Sequence, residues 1–146
     1  MRQVRNYVQQ HHDTSAVVVS AEIESELVTL STEERAEYLA ELGITDTGAS
    51  NLIREAYHLL GLRTFLTTGE KETRAWTIHA GDKAPQAAGV IHSDFEKSFI
   101  SAECVSYEEL VALGSFARAR ELGKMRTEGK EYVVQDGDVI EFKTYL

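Results

Sequence analysis

Three side chains able to do acid–base or metal chemistry recur at every second position of the stretch QAAGVIHSDFEKSFISAE: His92, Asp94 and Glu96. In an extended segment alternate side chains point to one side, which would bring the three together around a metal ion or as an acid–base pair. A catalytic zinc centre asks for two or three histidines at helix or hairpin spacing. His11, His12, His58 and His79 stand in no such relation to His92. The same residues also read as architecture, because a histidine followed by Ser93-Asp94 is a good turn or helix start, with Ser93 or Asp94 accepting backbone N–H bonds. We take the architectural reading. Ala87, Ala88, Val90 and Ile91 form the apolar side of a short helix, His92-Ser93-Asp94 ends it, and Phe95 turns inward. No metal site and no catalytic residue is assigned.

Nucleophilic chemistry has little to work with. Cys104 lies in the apolar strand pattern ISAECVSY, where a thiol acts as a small buried residue. No Gly-x-Ser-x-Gly elbow occurs. The two Gly-Lys pairs, Gly123-Lys124 and Gly129-Lys130, are followed by Met125 and Glu131 and lack the upstream glycine of a phosphate loop. Two other features carry binding chemistry. Ser20-Ala21-Glu22 follows the apolar run AVVV and precedes a helix, the setting in which P-loop GTPases place a Ser-Ala-x loop whose backbone N–H groups meet the edge of a purine base. Arg118, Arg120, Lys124, Arg126 and Lys130 stand within thirteen residues that hold two acids, Glu121 and Glu128, a local excess of +3. That cluster is either a solvated helix-and-loop face or a contact for RNA phosphate or an acidic protein. Tyr132 and Phe116 border it and would stack on bases or, more simply, pack.

The elements that must position these residues change character near residue 62. Before it, Val4, Tyr7 and Val8 recur at helical spacing, Ala16–Val19 reads as a strand buried on both faces, and STEERAEYLAELG opens on a Ser31/Glu34 capping box and stops at Gly43. Tyr38, Leu39 and Leu42 would be its buried side. TGASNLIREAYHLLG then sets Leu52, Ile53, Ala56, Tyr57, Leu59 and Leu60 on one stripe. After residue 62 the period shortens. RTFLTTGEKETRAWTIHAG predicts two strands around a hairpin at Gly69, with Trp76 and Ile78 on one face. KAPQAAGVIHS predicts a helix, SFISAECVSY a strand, SYEELVALG a helix, and EYVVQDGDVIEF a hairpin turning at Asp136-Gly137. The order β-β-α-β-α-β-β is that of a small α+β roll, one sheet wrapped over a helix.

Composition narrows the class. A chain of 146 residues that is 42% apolar can fill a core, and its one cysteine excludes an internal disulfide. MRQVRNYVQQ holds neither a signal core nor a spanning segment, so a cytoplasmic, soluble protein with no membrane partner is expected. The net charge of -9 argues against tight sequence-blind nucleic-acid binding. The charge is uneven: residues 1–62 carry four basic and ten acidic side chains, residues 63–146 eleven and fourteen.

Taken together, LLGLRTFLTTGEKETRAWTIHAGDKAPQAAGVIHSDFEKSFISAE and the later EGKEYVVQDGDVIEF closely resemble the C-terminal part of the YchF subfamily of Obg-type nucleotide-binding proteins. The resemblance runs over nearly the whole chain. It implies that residues 1–62 are the last piece of a P-loop nucleotide-binding (G) domain, a mostly helical α/β remnant. Ser20, Ala21 and Glu22 would be a partial purine-base loop. It implies that residues 63–146 are a TGS domain, a β-grasp, ubiquitin-like module also found in threonyl-tRNA synthetase and stringent-response enzymes. The family's P-loop, metal-binding switch segments and Asn-x-x-Glu motif are absent from this sequence, so the chain looks like a fragment that does not hydrolyse nucleotide by itself. No cofactor is expected for it, and ATP or GTP with magnesium for the full-length parent. The implied partner is the ribosome or RNA, contacted through Arg118, Arg120, Lys124, Arg126 and Lys130; the alternative is a protein-interaction module without RNA contact. Departures from the family pattern are Cys104, where Val is more usual, Ser98, where Gly is common, and Phe116, Arg118 and Arg120, in a loop that is generally smaller and less basic.

Overall fold

Phe65, fully buried in the middle of the first strand after residue 61, marks where the core of this chain lies. A computed structural model describes residues 2–11, 16–69 and 72–145, which fall into two units, residues 1–60 and 61–146.

The second unit is a mixed α+β fold around a five-stranded sheet of order β2-β1-β5-β3-β4. β1 (Leu62–Thr68) and β2 (Thr73–His79) form the antiparallel hairpin read from the sequence, in register from Leu62↔His79 to Thr68↔Thr73. β5 (Asp138–Thr144) lies in the middle, parallel to β1 and antiparallel to β3 (Phe99–Ser106), and the short β4 (Arg126–Glu128) flanks β3. Period-two alternation splits the strands between two faces. On one face Phe65, Ile78, Phe99, Ala102, Cys104 and Ile140 meet α5 (Ala84–Ile91). Phe142 bridges them, its ring edge-on to Phe65 at 5.8 Å and to Phe99 at 6.2 Å. Burying Phe65, Ile78 or Ile140 is worth about 1.5–3 kcal/mol apiece. On the other face Val105 and Val139 pack with Leu66 under α7 (Tyr107–Leu113) and α8 (Phe116–Glu121).

α5 starts where its sequence says it should, with Pro85 in the first turn and Gln86 Oε1 accepting from the Lys83 N–H at 2.8 Å. Its buried stripe is Ala84, Ala87, Ala88 and Ile91, the i, i+3, i+4, i+7 positions, and small residues let the helix lie close on the sheet. Val90, expected on that side, is 45% exposed because it falls two positions, about 200°, round from Ala88. The single expected helix is in fact two: His92 separates α5 from α6 (Ser93–Lys97), and Phe95 of α6 packs on the core as anticipated.

The hairpin expected over EYVVQDGDVIEF does not form. Tyr132 and Val134 direct their backbones to the start of α5 instead, with Ala84 N donating to Tyr132 O at 2.8 Å and Val134 N to Asp82 O at 3.0 Å. The cause is Asp138, buried at the head of β5, whose carboxylate accepts from the Gln135 N–H and the Tyr132 hydroxyl and folds 132–137 into a loop. Gly137 completes it with φ of 78°, its N–H donating to Thr64 O and its carbonyl accepting from Tyr107 N. A side chain there would be strained. The remaining strand is β4, within the basic segment.

Among the described residues the first unit is helical: α1 (Arg2–His11), α2 (Ala21–Thr29), α3 (Thr32–Glu41) and α4 (Gly48–Leu59). The Ser31/Glu34 capping box is present, the Glu34 carboxylate accepting from Ser31 N at 2.8 Å. That bond holds the Glu34 carboxyl below its usual range. Ala16–Ser20 forms no helix or strand, so the buried strand expected from AVVV is not there: Val18 and Val19 are 39% and 47% exposed. A strand exists only through a neighbour's hydrogen bonds, and every assigned element of this unit is a helix. Likewise Leu42 and the α4 stripe form as read but stay exposed, Leu59 and Leu60 most of all, and Leu27 is the one buried side chain described in this unit. No helix among the described residues is long and apolar enough to cross a membrane.

Candidate functional site

Ser20, Ala21 and Glu22 sit where an extended segment becomes a helix. Ser20 is the N-cap of α2, its hydroxyl accepting from Ile23 N at 3.4 Å and its carbonyl from Glu24 N. The N–H groups of Ala21 and Glu22 have no acceptor among the described residues, as first-turn amides generally lack one. They are the donors a base edge would need. Beside them opens a cleft of about 200 Å³, walled by Val18, Ile23 and Ile44 and edged by Ser20, Thr47 and Asn51. Two carboxylates also line it, Glu24 and Asp46, and no Lys or Arg does. Asp46 is committed to Arg54, with contacts of 2.8 and 2.9 Å that hold its carboxyl below the usual range. Backbone donors beside apolar walls fit a planar base. The same lining does not fit a polyphosphate, which needs cations or a run of free amides where these carboxylates stand.

In the second unit the five basic residues are spread over α8, the loop after it, β4 and the turn that follows β4. Most are paired. Arg118 meets Glu121 at 3.1 Å, Arg120 meets Glu103 of β3 at 2.7 Å, and Lys124 meets Glu109 of α7 at 2.9 Å, which holds the Glu109 carboxyl below its usual range. Arg126 reaches Asp138 at 3.1 Å and lies 3.9 Å from Glu128. Lys130 has no carboxylate partner among the described residues. The local excess of +3 is therefore met by Glu103, Glu109 and Asp138, which come from elsewhere in the sequence. The pairs of Arg118, Arg120 and Lys124 reach solvent, are weak and exchange readily for another anion, whereas the Asp138 carboxylate that meets Arg126 is buried. The aromatic neighbours are occupied too: Phe116, the first residue of α8, packs on the cluster of Val105, Ala119 and Val139, and the Tyr132 hydroxyl donates to Asp138 at 2.6 Å. Burial and that bond push the Tyr132 hydroxyl well above its usual range.

His92, Asp94 and Glu96 do not converge on a common centre. They lie on the cap and the single turn of α6, and among the described residues no three His, Cys, Asp or Glu side chains are grouped to hold a metal ion. The cap itself differs from the expectation: His92 Nδ1, and neither Ser93 nor Asp94, accepts the backbone bond, from Asp94 N at 3.2 Å. Glu96 lies against Gly89 of α5. His12 and the His11 side chain fall outside what is described. Cys104 is fully buried, its thiol pushed up to about 12 by burial and by nearby Asp138. Sequence reasoning missed Glu24, Gly48, Glu103, Glu109 and Asp138 as partners of the candidate residues. Asp138 alone had a local signal, following the one Asp-Gly turn of the chain's end.

Comparison with known proteins adds the following. The family model YchF-GTPase_C, described as "Protein of unknown function (DUF933)", matches residues 62–145. The curated "Ribosome-binding ATPase YchF" of Bacillus subtilis (strain 168) is 56% identical over 131 residues, 90% of this chain and 36% of its own length. The protein of that name in Escherichia coli O157:H7 is 50% identical over 126 residues, covering 86% of this chain and 35% of its own. The solved structure of the Schizosaccharomyces pombe YchF GTPase superposes with a TM-score of 0.81 at 35% identity, over 97% of this chain and 38% of that one. The chain thus spans little more than a third of the length of these relatives.

Proposed function

Because this chain belongs to the YchF family, we propose that it is a binding module of a nucleotide-dependent, translation-associated protein. Residues 63–146 are a TGS domain of β-grasp type that engages the ribosome or RNA. Residues 1–62 are the last piece of a nucleotide-binding domain, with Ser20, Ala21 and Glu22 as part of its purine-base contact. The observation that carries this reading is the 56% identity, over 90% of the chain, to a protein named as a ribosome-binding ATPase. The strand order β2-β1-β5-β3-β4 with α5 across the sheet supports the β-grasp assignment. ATP or GTP with magnesium belongs to the whole protein, and the chain by itself, lacking a phosphate loop, does not hydrolyse nucleotide. The cytoplasm is the compartment this function requires.

Arg118, Arg120, Lys124, Arg126 and Lys130 are the proposed contact. Arg120 and Lys124 now face Glu103 and Glu109, so docking would exchange those two carboxylates for phosphate, while Arg126 would keep buried Asp138 and turn its exposed side to the partner. Cosedimentation with ribosomes across a salt series tests this. Binding should fall with salt, and charge reversal at Arg118, Arg120 and Lys124 should flatten the dependence by about one unit of log–log slope for each phosphate no longer neutralised. Glu103→Gln with Glu109→Gln, which releases Arg120 and Lys124, should tighten it. Binding indifferent to the reversal overturns the patch assignment. The open edges of β2 and β4 favour a second reading, strand addition by a protein partner, and capture of a partner from nuclease-treated lysate despite the reversal would support it.

A further inference from the structure

We propose that Gly48 and Glu24 are positioning residues for the Ser20–Glu22 connection, an assignment that rests on reading that connection as a base contact. The reason is how closely the start of α4 backs onto it. A Cβ built on Gly48 would lie 2.7 Å from Val19 Cα and 2.9 Å from Val18 O. Both are backbone atoms of the segment that leads into Ser20, so no side chain can swing away to make room. Gly48 is not among the glycines of positive φ, so space and not backbone conformation demands glycine here. A second grip comes from the other side of the connection. Glu24, in the first turn of α2, accepts from the Ala49 N–H at the start of α4 at 3.0 Å, a favourable place for a carboxylate.

The two contacts bracket Ser20, Ala21 and Glu22. Gly48 sets how near Val18 and Val19 lie to α4, and Glu24 ties the helix that follows to the same helix end. Recognition through backbone N–H groups tolerates displacement of only about 0.5 Å. Alanine at position 48 would have to open its contact with Val19 from 2.7 Å to an ordinary 3.4 Å or more, carrying the N–H groups of Ala21 and Glu22 with it.

Two measurements on the isotopically labelled full chain decide the matter. The first needs no ligand. Gly48→Ala and Glu24→Ala should speed amide hydrogen exchange at the hydrogen-bonded amides of Ile23, Glu24 and Ala49 by about tenfold or more and shift the resonances of Val19–Ile23, while Glu24→Gln, which keeps an acceptor for Ala49 N–H, should keep wild-type values. Unchanged exchange in Gly48→Ala overturns the positioning role, whatever nucleosides do. The second is titration with adenosine and with guanosine, which carry the base without phosphate. Shifts at Ser20–Glu22 in wild type and Glu24→Gln that vanish in Gly48→Ala and Glu24→Ala support the proposal. A merely structural role would leave these shifts in place. Absence of shifts in wild type itself overturns the base-contact reading on which the assignment rests, a failure distinct from the first. Far-UV circular dichroism, which reads the helices of the first unit as well as the second, checks that every variant is folded.

Discussion

Replacing Asp138 by alanine should unfold the second unit more readily than any other single polar substitution in it. The carboxylate is buried and accepts three bonds: from Tyr132 Oη at 2.6 Å, Gln135 N at 2.9 Å and Arg126 at 3.1 Å. A hydrogen bond to a charged group is worth about 1.5–3 kcal/mol, but the three share one acceptor and do not add. The Arg126 side chain is 46% exposed and can be hydrated when its partner is gone, which discounts the ion pair. The Tyr132 hydroxyl and the Gln135 N–H are only partly exposed and lose their acceptor. A net loss of about 3–4 kcal/mol follows, with about 1–2 kcal/mol for Asp138→Asn, which keeps one acceptor oxygen. The assay is urea unfolding followed by Trp76, the sole tryptophan, which lies in the second unit against the core with its Nε1–H donating to Thr67. For an m-value of about 1–1.5 kcal/mol/M the midpoint of Asp138→Ala should drop by about 2–4 M. A drop under about 0.5 M would refute the argument that this carboxylate organises the 132–137 loop.

Two further outcomes follow from individual groups. The Cys104 thiol keeps its proton in the folded state up to about 12, against an ordinary 9.0. Stability should therefore be indifferent to this group below about pH 8 and fall as pH rises from 9 toward 12, by up to about 1.4 kcal/mol per pH unit. Cys104→Val should reduce that slope, with Tyr132 contributing what remains, and an identical slope would remove Cys104 from the account. At the α5–α6 junction the backbone bond belongs to His92. His92→Ala should lower the melting temperature by the equivalent of about 0.5–1 kcal/mol, and exposed Asp94→Ala by less than about 0.5 kcal/mol. The reverse ranking would return the capping role to Asp94.

What the sequence made legible was whatever its own neighbours decide. The β1–β2 hairpin, the Ser31/Glu34 box, the start of α5 at Pro85 and the inward turn of Phe95 all rest on residues within about four positions of one another. Failures occur where a distant partner decides. Val18 and Val19 have strand-forming side chains, but a strand needs a neighbour, and this unit supplies helices. EYVV looks like half of a hairpin until Asp138 folds it toward α5.

The basic cluster shows the same limit in electrostatic form. Counting charges from Arg118 to Lys130 describes one segment, whereas the field at a surface sums over every strand and helix beside it. β3 contributes Glu103, α7 Glu109 and β5 Asp138 to the same surface, and those three carboxylates match the segment's excess of three. The patch is thus close to neutral at rest and becomes cationic only where a partner displaces Glu103 and Glu109, since Asp138 is buried. Glu103 and Glu109 would thereby set how strongly an anionic partner is held, which is why their neutralisation, and not only reversal of the cations, measures what this surface does.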